Sequence, residues 1–390
     1  MHKLIRVTTL PISMEKLLEN QLEFMKSHFD ITAIACSESE GTYLEEYGRE
    51  VGMKTHTIEF TRAITPIQDL KTILKLYKFL KKEKPEIIHS HTPKAGMVSM
   101  IAAKLARVPI RIHTVAGLPL EEATGMKKIL LKSIEKITYA AATKVLPNSN
   151  GLKQTLLEFN LCPEKKINII GKGSSNGINT DYFDPEKISQ GEVNNLKSEL
   201  GLTGDETILI YIGRLVKDKG VNELITTFDS ISKSHPNCRL LLLGYYEQER
   251  DPLNEDTVRV INKNNAIIEL GFIKDIRPYL LLSSFLVFPS YREGFPNVVL
   301  QAAAMQLPAI VTDINGCNEI IQNNNNGLLI PKKNSEALKE AMLHLIENKS
   351  VRDTMKLSTR KFIQENFSRE IIWNELLKMY TSEIKRIHEK

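Results

Sequence analysis

Cysteine is scarce and scattered. The 390 residues hold four, Cys36, Cys162, Cys238 and Cys317, and no two form a CxxC pair. That excludes a zinc ribbon or a thioredoxin-like centre, and in a chain of this size it makes a disulfide framework a poor expectation. The four read as buried thiols of a reducing compartment. Tryptophan occurs once, at Trp373. Long apolar runs are missing: the most apolar window, Tyr279 to Phe288, is far short of the roughly 20 residues that span a bilayer. No low-complexity segment and no short-period repeat is present. Neither sign of charge dominates, with 52 Lys and Arg against 47 Asp and Glu and a net charge of +5. Such a modest excess, without a recognisable module, argues against a nucleic-acid partner. The N-terminal MHKLIRVTTLPIS has only a short apolar run, broken by Thr9 and Pro11, and reads as a first strand, not a signal peptide. A cytoplasmic protein, at most peripheral to a membrane, is expected.

What is present is alternation. Short β-rich apolar runs are separated by longer helical patterns. They are LIRVTTL (4–10), ITAIACS (31–37), EIIHSH (86–91), IRIHTV (110–115), KVLPNS (144–149) and INIIGKG (167–173) in the first half. The second half has TILIYIG (207–213), RLLLLG (239–244), AIIELGF (266–272), FLVFPS (285–290), AIVTD (309–313) and GLLI (327–330). This order predicts α/β architecture, with parallel sheets buried on both faces. The length predicts about two domains. The pattern pauses between Ser174 and Gly204, which divides the chain into 1–175, a linker region at 176–204, 205–366 and a C-terminal helix at 367–390. The GKGSSNG stretch (171–177) lacks the spacing of a dinucleotide fingerprint and reads as a hinge loop.

Ligands of open α/β sheets sit beyond the carboxyl ends of the strands, and the candidate residues all follow strands. In PSYREGFPNVVLQ (289–301), Glu293 lies at a strand-to-helix junction and Gln301 two turns along the helix. Glu293 also suits a helix cap. In GRLVKDKG (213–220), Arg214 and Lys219 can clamp a diphosphate, the arginine as a fork and the lysine as a point charge, with a helix N-terminus beside them. In the first half, HSHTPKAG (89–96) places two histidines on one side of a strand. They have no third ligand at metal-binding spacing, so no metal is expected. Ser13 is positioned to cap a helix MEKLLENQLEFM (14–25).

The 289–321 run, GRLVKDKG, HTPKAG and HTVAGLP resemble the retaining glycosyltransferases of family 4, and the likeness extends over almost the whole chain. The resemblance implies the GT-B fold: two Rossmann-like domains face an interdomain cleft, and a C-terminal helix crosses back to the first. It implies transfer of a sugar, with retention and without metal or cofactor, from a nucleotide diphosphate sugar, a UDP-sugar by family habit. The implied acceptor is a polyprenyl-diphosphate-linked saccharide of bacterial capsule, O-antigen or exopolysaccharide synthesis. The implied catalytic set is Glu293, His113, Arg214 and Lys219. The implied donor contacts add Phe272, Ile273, Gly294, Phe295, Pro296, Asn297 and Gln301, and the implied acceptor contacts are Ser13, His91 and Lys94. Gln301 stands where the family usually has a second glutamate, so an uncharged amide faces the ribose.

Two basic amphipathic stretches bear on membranes. For 70–84, the reading is a buried face of Leu70, Ile73, Leu74, Tyr77 and Leu80 with a solvated lysine back. For 126–137, MKKILLKSIEKI, contact with an anionic membrane is expected. Two other functions remain open on sequence: a GT-B-fold nucleotide-sugar epimerase, and a non-catalytic nucleotide-sugar-binding protein marked by Gln301.

Overall fold

The computed structural model describes residues 1–36, 43–61, 65–121, 123–247 and 251–389. They form two compact units, Met1–Gly177 with Arg369–Lys390, and Ile178–Ser368.

The first unit has a six-stranded parallel sheet of β1 (His2–Val7), β2 (Phe29–Ala35), β3 (Lys54–Thr57), β4 (Ile87–Ser90), β5 (Ile110–Val115) and β6 (Lys144–Pro147), in the order β3-β2-β1-β4-β5-β6. Its helices are α1 (Pro11–Leu18), α2 (Gln21–Lys26), α3 (Tyr43–Val51), α4 (Pro66–Glu83), α5 (Pro93–Ala106), α6 (Gly125–Ala141) and α7 (Asn150–Glu158). The second unit repeats the plan with β7 (Thr207–Ile212), β8 (Cys238–Leu243), β9 (Ile267–Gly271), β10 (Phe285–Phe288), β11 (Ala309–Thr312) and β12 (Gly327–Ile330), in the order β12-β11-β10-β7-β8-β9. Its helices are α8 (Gln190–Glu199), α9 (Val221–Ser234), α10 (Glu255–Lys263), α11 (Arg277–Leu282), α12 (Asn297–Ala304), α13 (Cys317–Ile320), α14 (Ser335–Glu347) and α15 (Lys349–Phe367). The last helix, α16 (Arg369–His388), belongs to the first unit.

Continuous apolar strands became the buried centres of both sheets, as double-faced burial requires. Leu209, Ile210, Leu240 to Leu242 and Phe285 to Val287 are fully buried. All four cysteines are buried thiols.

The structure departs from the sequence reading in several places. INIIGKG is not a strand: only Ile167 bridges to Val145, and the run then enters turns. The sixth strand is instead β3, KTHT, an edge strand without buried residues and hence without an apolar signature. The single helix over 14–25 is two, because Glu19 takes φ 39° between α1 and α2. Ser13 does not cap, since α1 already starts at Pro11 and the Ser13 amide donates to Leu10 O at 3.1 Å. The linker region carries α8, capped by a Ser189–Glu192 capping box, and buries Val193 and Leu196 in the core of the second unit. On α4, Ile73, Leu76 and Leu80 are buried, while Leu70 and Leu74 face solvent.

Helix α16 is tied to the first unit by packing and by a buried polar chain. Leu376, Tyr380 and Ile384 pack with Leu4, Ile31, Ile87 and Ile112. Asn176 Oδ1 accepts from Trp373 Nε1 at 2.7 Å and from Gln21 Nε2 at 2.9 Å. Gln21 Oε1 in turn accepts from the fully buried Arg6 at 2.7 Å. Removing the acceptor would orphan the indole N–H inside the protein, which costs about 1–3 kcal/mol. Asn176→Ala should therefore lower the stability of the first unit by about that amount. Urea unfolding followed by the fluorescence of Trp373, the sole tryptophan, reads it directly.

Candidate active site

The second unit gathers its charged residues at the carboxyl edge of its sheet. Lys219 follows β7 and Glu293 follows β10, neighbouring strands. The Lys219 ammonium pairs with Glu293 Oε1, and Ser290 Oγ donates to the same oxygen at 2.8 Å. Both side chains are largely buried, at 15% and 14% exposure. The pair is set by backbone contact. Gly220 has φ 69°, and a Cβ there would lie 2.1 Å from Pro289 O. No other residue fits, so the two loops touch main chain to main chain. The Tyr291 amide donates to Asp218 O at 2.9 Å and Arg292 Nη2 to Asp218 Oδ2 at 3.1 Å.

Arg214, beside this pair, is partly exposed and is held by the Glu247 carboxylate on the loop after β8. Burial would lower its pKa, but the hydrogen bond and charge of Glu247 prevail and raise it, so it stays a fixed cation.

At the start of α12 the N-cap is Pro296, without a side-chain cap. Glu293 thus serves Lys219 and Ser290 and does not cap the helix. Among the described residues, no protein acceptor takes the amides of Phe295, Asn297 or Val298, which leaves them available as donors. Gly294 is pressed against Gly316, where a Cβ would meet Gly294 O at 2.4 Å. Phe295 is buried against Phe367, with ring centroids 5.3 Å apart. Asn297 is exposed, and Gln301 is half-buried on α12. Phe272, just past β9, is 75% exposed, while Ile273 packs on the core. Sequence reasoning missed Glu247 and Ser290, though both lie just beyond strand ends.

The first-unit candidates do not form a comparable open cluster. His113 is buried, hydrogen-bonded through Nδ1 to Ser90 Oγ at 2.9 Å and stacked near Tyr139. A Cβ on Gly96 would strike its ring. The imidazole is thus enclosed by α5. His91 is buried too and accepts from Arg6 Nη2 at 2.8 Å. Lys94 is engaged with Asp69 at 2.5 Å in a nearly closed ion pair. Ser13 sits in the first turn of α1. The signal at this edge lies instead in Thr92, a β-branched residue at φ 83°, braced by a 2.8 Å contact between its hydroxyl and that of Thr9. Such backbone costs on the order of 1–3 kcal/mol and clusters at functional sites.

Comparison with known proteins bears on this arrangement. The model of glycosyltransferase family 4 matches residues 15–182, and that of glycosyl transferases group 1 matches 192–362. The capsular polysaccharide biosynthesis glycosyltransferase CapM of Staphylococcus aureus is 35% identical over 376 residues, 96% of each chain.

The chain belongs to glycosyltransferase family 4.

The transferase is also 29% identical over 374 residues, 94% of its own chain and 93% of the other, to the UDP-Gal:alpha-D-GlcNAc-diphosphoundecaprenol alpha-1,3-galactosyltransferase of Escherichia coli. The crystal structure of Anabaena HepE in complex with UDP superposes with a TM-score of 0.79 at 17% identity, covering 98% of this chain and 100% of that one. The fold is GT-B. A sugar transferase fits these relations better than an epimerase or a non-catalytic binder.

Burial gives the first unit a pH dependence. His113 has its pKa pushed down to about 4 by desolvation, against a usual 6.5. Burial also drives His89 and His91 well below that value, helped by the neighbouring Arg6 charge. All three are neutral in the fold and protonate when the chain unfolds. The unfolded state therefore binds more protons below pH 6.5, and stability is complete above that pH and lost as the pH falls towards 4. The His113 share is on the order of 3 kcal/mol. The urea midpoint read by Trp373 should fall steadily over this window; a flat profile would contradict neutral burial.

Proposed function

We propose that the transferase moves a sugar from a UDP-sugar to a polyprenyl-diphosphate-linked saccharide in bacterial surface polysaccharide synthesis, with retention at the anomeric carbon. The observation that carries the donor half is the set of two cations, Arg214 and Lys219, beside free helix-terminal amides at one sheet edge. Each cation has a carboxylate partner, Glu247 for Arg214 and Glu293 for Lys219. A diphosphate offers the same geometry with more charge. On binding, it takes Arg214 as a fork and Lys219 as a point charge. Glu293, released from Lys219, turns to the hydroxyls of the donor sugar. Phe272 and Ile273 line the donor beside β9, and Gln301 meets the ribose through its amide oxygen.

Charge builds on the leaving diphosphate as its bond to the sugar breaks. Arg214, Lys219 and the amides of Phe295 and Asn297 stabilise it there, in fixed positions. These cations supply the positive charge that a metal would otherwise bring, so the proposed reaction is metal-independent. Glu293 accepts from Lys219 and Ser290, and in this reading it holds the sugar and does not attack it. The acceptor hydroxyl therefore attacks from the face that the diphosphate leaves, and a phosphate oxygen takes its proton. The acceptor reading rests on the relatives, one of which is named for a diphosphoundecaprenol-linked acceptor. The braced Thr92 loop, with His91 and Lys94 behind it, is the acceptor edge of the first unit.

The transferase works at an anionic membrane, through α6. No helix among the described residues is long and apolar enough to cross a bilayer. Arg214→Ala and Glu293→Ala should each lower kcat by roughly a hundredfold or more in protein that is still folded at the assay temperature, although Glu293→Ala melts lower because Lys219 loses its buried partner. Turnover of a UDP-sugar onto a polyprenyl-diphosphate saccharide is the assay, and near-normal rates in both variants would sink the assignment.

A further inference from the structure

Between β9 and α11 of the second unit runs the loop Phe272 to Ile276, which leaves the sheet through Gly271 at φ 64°. Ile273 packs on the core, but Phe272 is 75% exposed and burial does not fix it. The anchor of the loop is Asp275. One of its carboxylate oxygens accepts from Arg277 Nε at 2.8 Å and from the Arg277 amide at 3.1 Å. The other accepts from Arg277 Nη2 at 2.5 Å. This is a guanidinium fork on a carboxylate, the arrangement in which lysine replaces arginine least well. The hydrogen bond from Arg277 is also the main cause that draws the Asp275 pKa below its ordinary value.

Tyr182 fixes the same guanidinium from its other side. The Arg277 Cζ lies 3.7 Å from the Tyr182 ring centroid, and Nη1 donates to Tyr182 O at 3.2 Å. Tyr182 belongs to a turn at 178–184, the first stretch of the second unit. In that turn Asn179 Oδ1 accepts from the Tyr182 amide at 3.0 Å, and Phe183 is buried in the core. Arg360 on α15 clamps it again. Arg360 donates to Thr180 O at 2.9 Å and to Phe183 O at 2.5 Å, and pairs with Asp184 at 3.1 Å. Its Nη1 also donates at 2.7 Å to the carbonyl of Ala304, the last residue of α12. The turn is thus bonded both to the loop that presents Phe272 and to the helix that carries Gln301. A half-exposed cation–aromatic contact adds little to stability, so its position at the donor edge is the more informative fact.

We infer that Tyr182 and Arg277 are positioning residues for the nucleoside end of the donor. Through Asp275 they hold the Phe272–Ile276 loop in the shape that receives the base, while Arg214 and Lys219 hold the diphosphate. This rests on the donor reading above, in which Phe272 and Ile273 line the nucleotide, and divides that site into two separately built halves. The contribution is preorganisation: a loop that is already ordered costs the incoming ligand less to bind.

Calorimetric titration of the full chain with UDP and with inorganic pyrophosphate separates the two halves, because pyrophosphate has no base and engages the cations alone. The variants are Arg277→Lys, which keeps the charge and loses the fork, Tyr182→Ala, and Tyr182→Phe, which keeps the ring. Far-UV circular dichroism checks that each is folded. Arg277→Lys and Tyr182→Ala should bind UDP about tenfold more weakly, and pyrophosphate within about twofold of the unaltered chain. Tyr182→Phe should stay close to the unaltered chain for both ligands. Equal losses for UDP and pyrophosphate would mark a general loosening of the unit and overturn the inference. Unchanged UDP affinity in Arg277→Lys and Tyr182→Ala would also overturn it, and would leave the donor reading standing. No binding of UDP or pyrophosphate by the unaltered chain would overturn the donor reading and the inference with it.

Discussion

Lysine and glutamate from two different strand ends meet in the second unit, and what the unit does depends on how they are held. Neither loop could place its side chain alone. The Gly220–Pro289 approach brings main chain against main chain, and Asp218 ties the loops again through the Tyr291 amide and the Arg292 guanidinium. The result is a largely buried ion pair at 15% and 14% exposure, next to a partly exposed arginine with its own acid. Buried pairs are weak evidence for stability, because desolvation offsets much of the attraction. Their persistence at a sheet edge makes more sense as readiness. On the proposed reading, the carboxylates keep the cations ordered until a diphosphate takes their place.

The first unit solves a different problem. Its sheet carries Arg6, His89, His91 and His113 on neighbouring strands, all buried. Burial keeps the imidazoles neutral, so that each can accept or donate to a fixed partner. His89 meets Tyr380 at 2.5 Å and Thr114 at 2.7 Å, and His91 accepts from Arg6. Through Tyr380 and Trp373 this network captures α16, the last stretch of the chain, and joins it to the sheet from which the chain began. The histidines of the HSH run are thus tied into this buried network.

Much of the fold was legible because doubly buried parallel strands leave continuous apolar runs. All six strands of the second unit were visible in this way. β3 was not, since an edge strand such as KTHT needs no apolar side chains, and INIIGKG looked like a strand although only Ile167 of its three isoleucines is buried. The charged site was legible because Arg214, Lys219 and Glu293 each follow a strand, and topology does the gathering. Their partners were harder to see. Glu247 belongs to a loop whose composition carries no signal, and only the geometry shows that it faces Arg214. The burial of the first-unit histidines was not legible, for a physical reason: a strand-end position gives a residue access to an edge, but the covering helix decides whether it reaches solvent. On α4, periodicity allowed two apolar faces, and packing chose Ile73, Leu76 and Leu80 over Leu70 and Leu74.

The central claim is that Arg214 and Lys219 wait for a nucleoside diphosphate. A thermal-shift titration with UDP and GDP, on the unaltered chain and on Arg214→Ala, tests it most directly. A ligand at about 100 times its dissociation constant stabilises the native state by roughly 2.7 kcal/mol, which is readily measured. The account predicts stabilisation by UDP that is strongly weakened in Arg214→Ala. Equal stabilisation of both proteins, or none by either nucleotide, would contradict it.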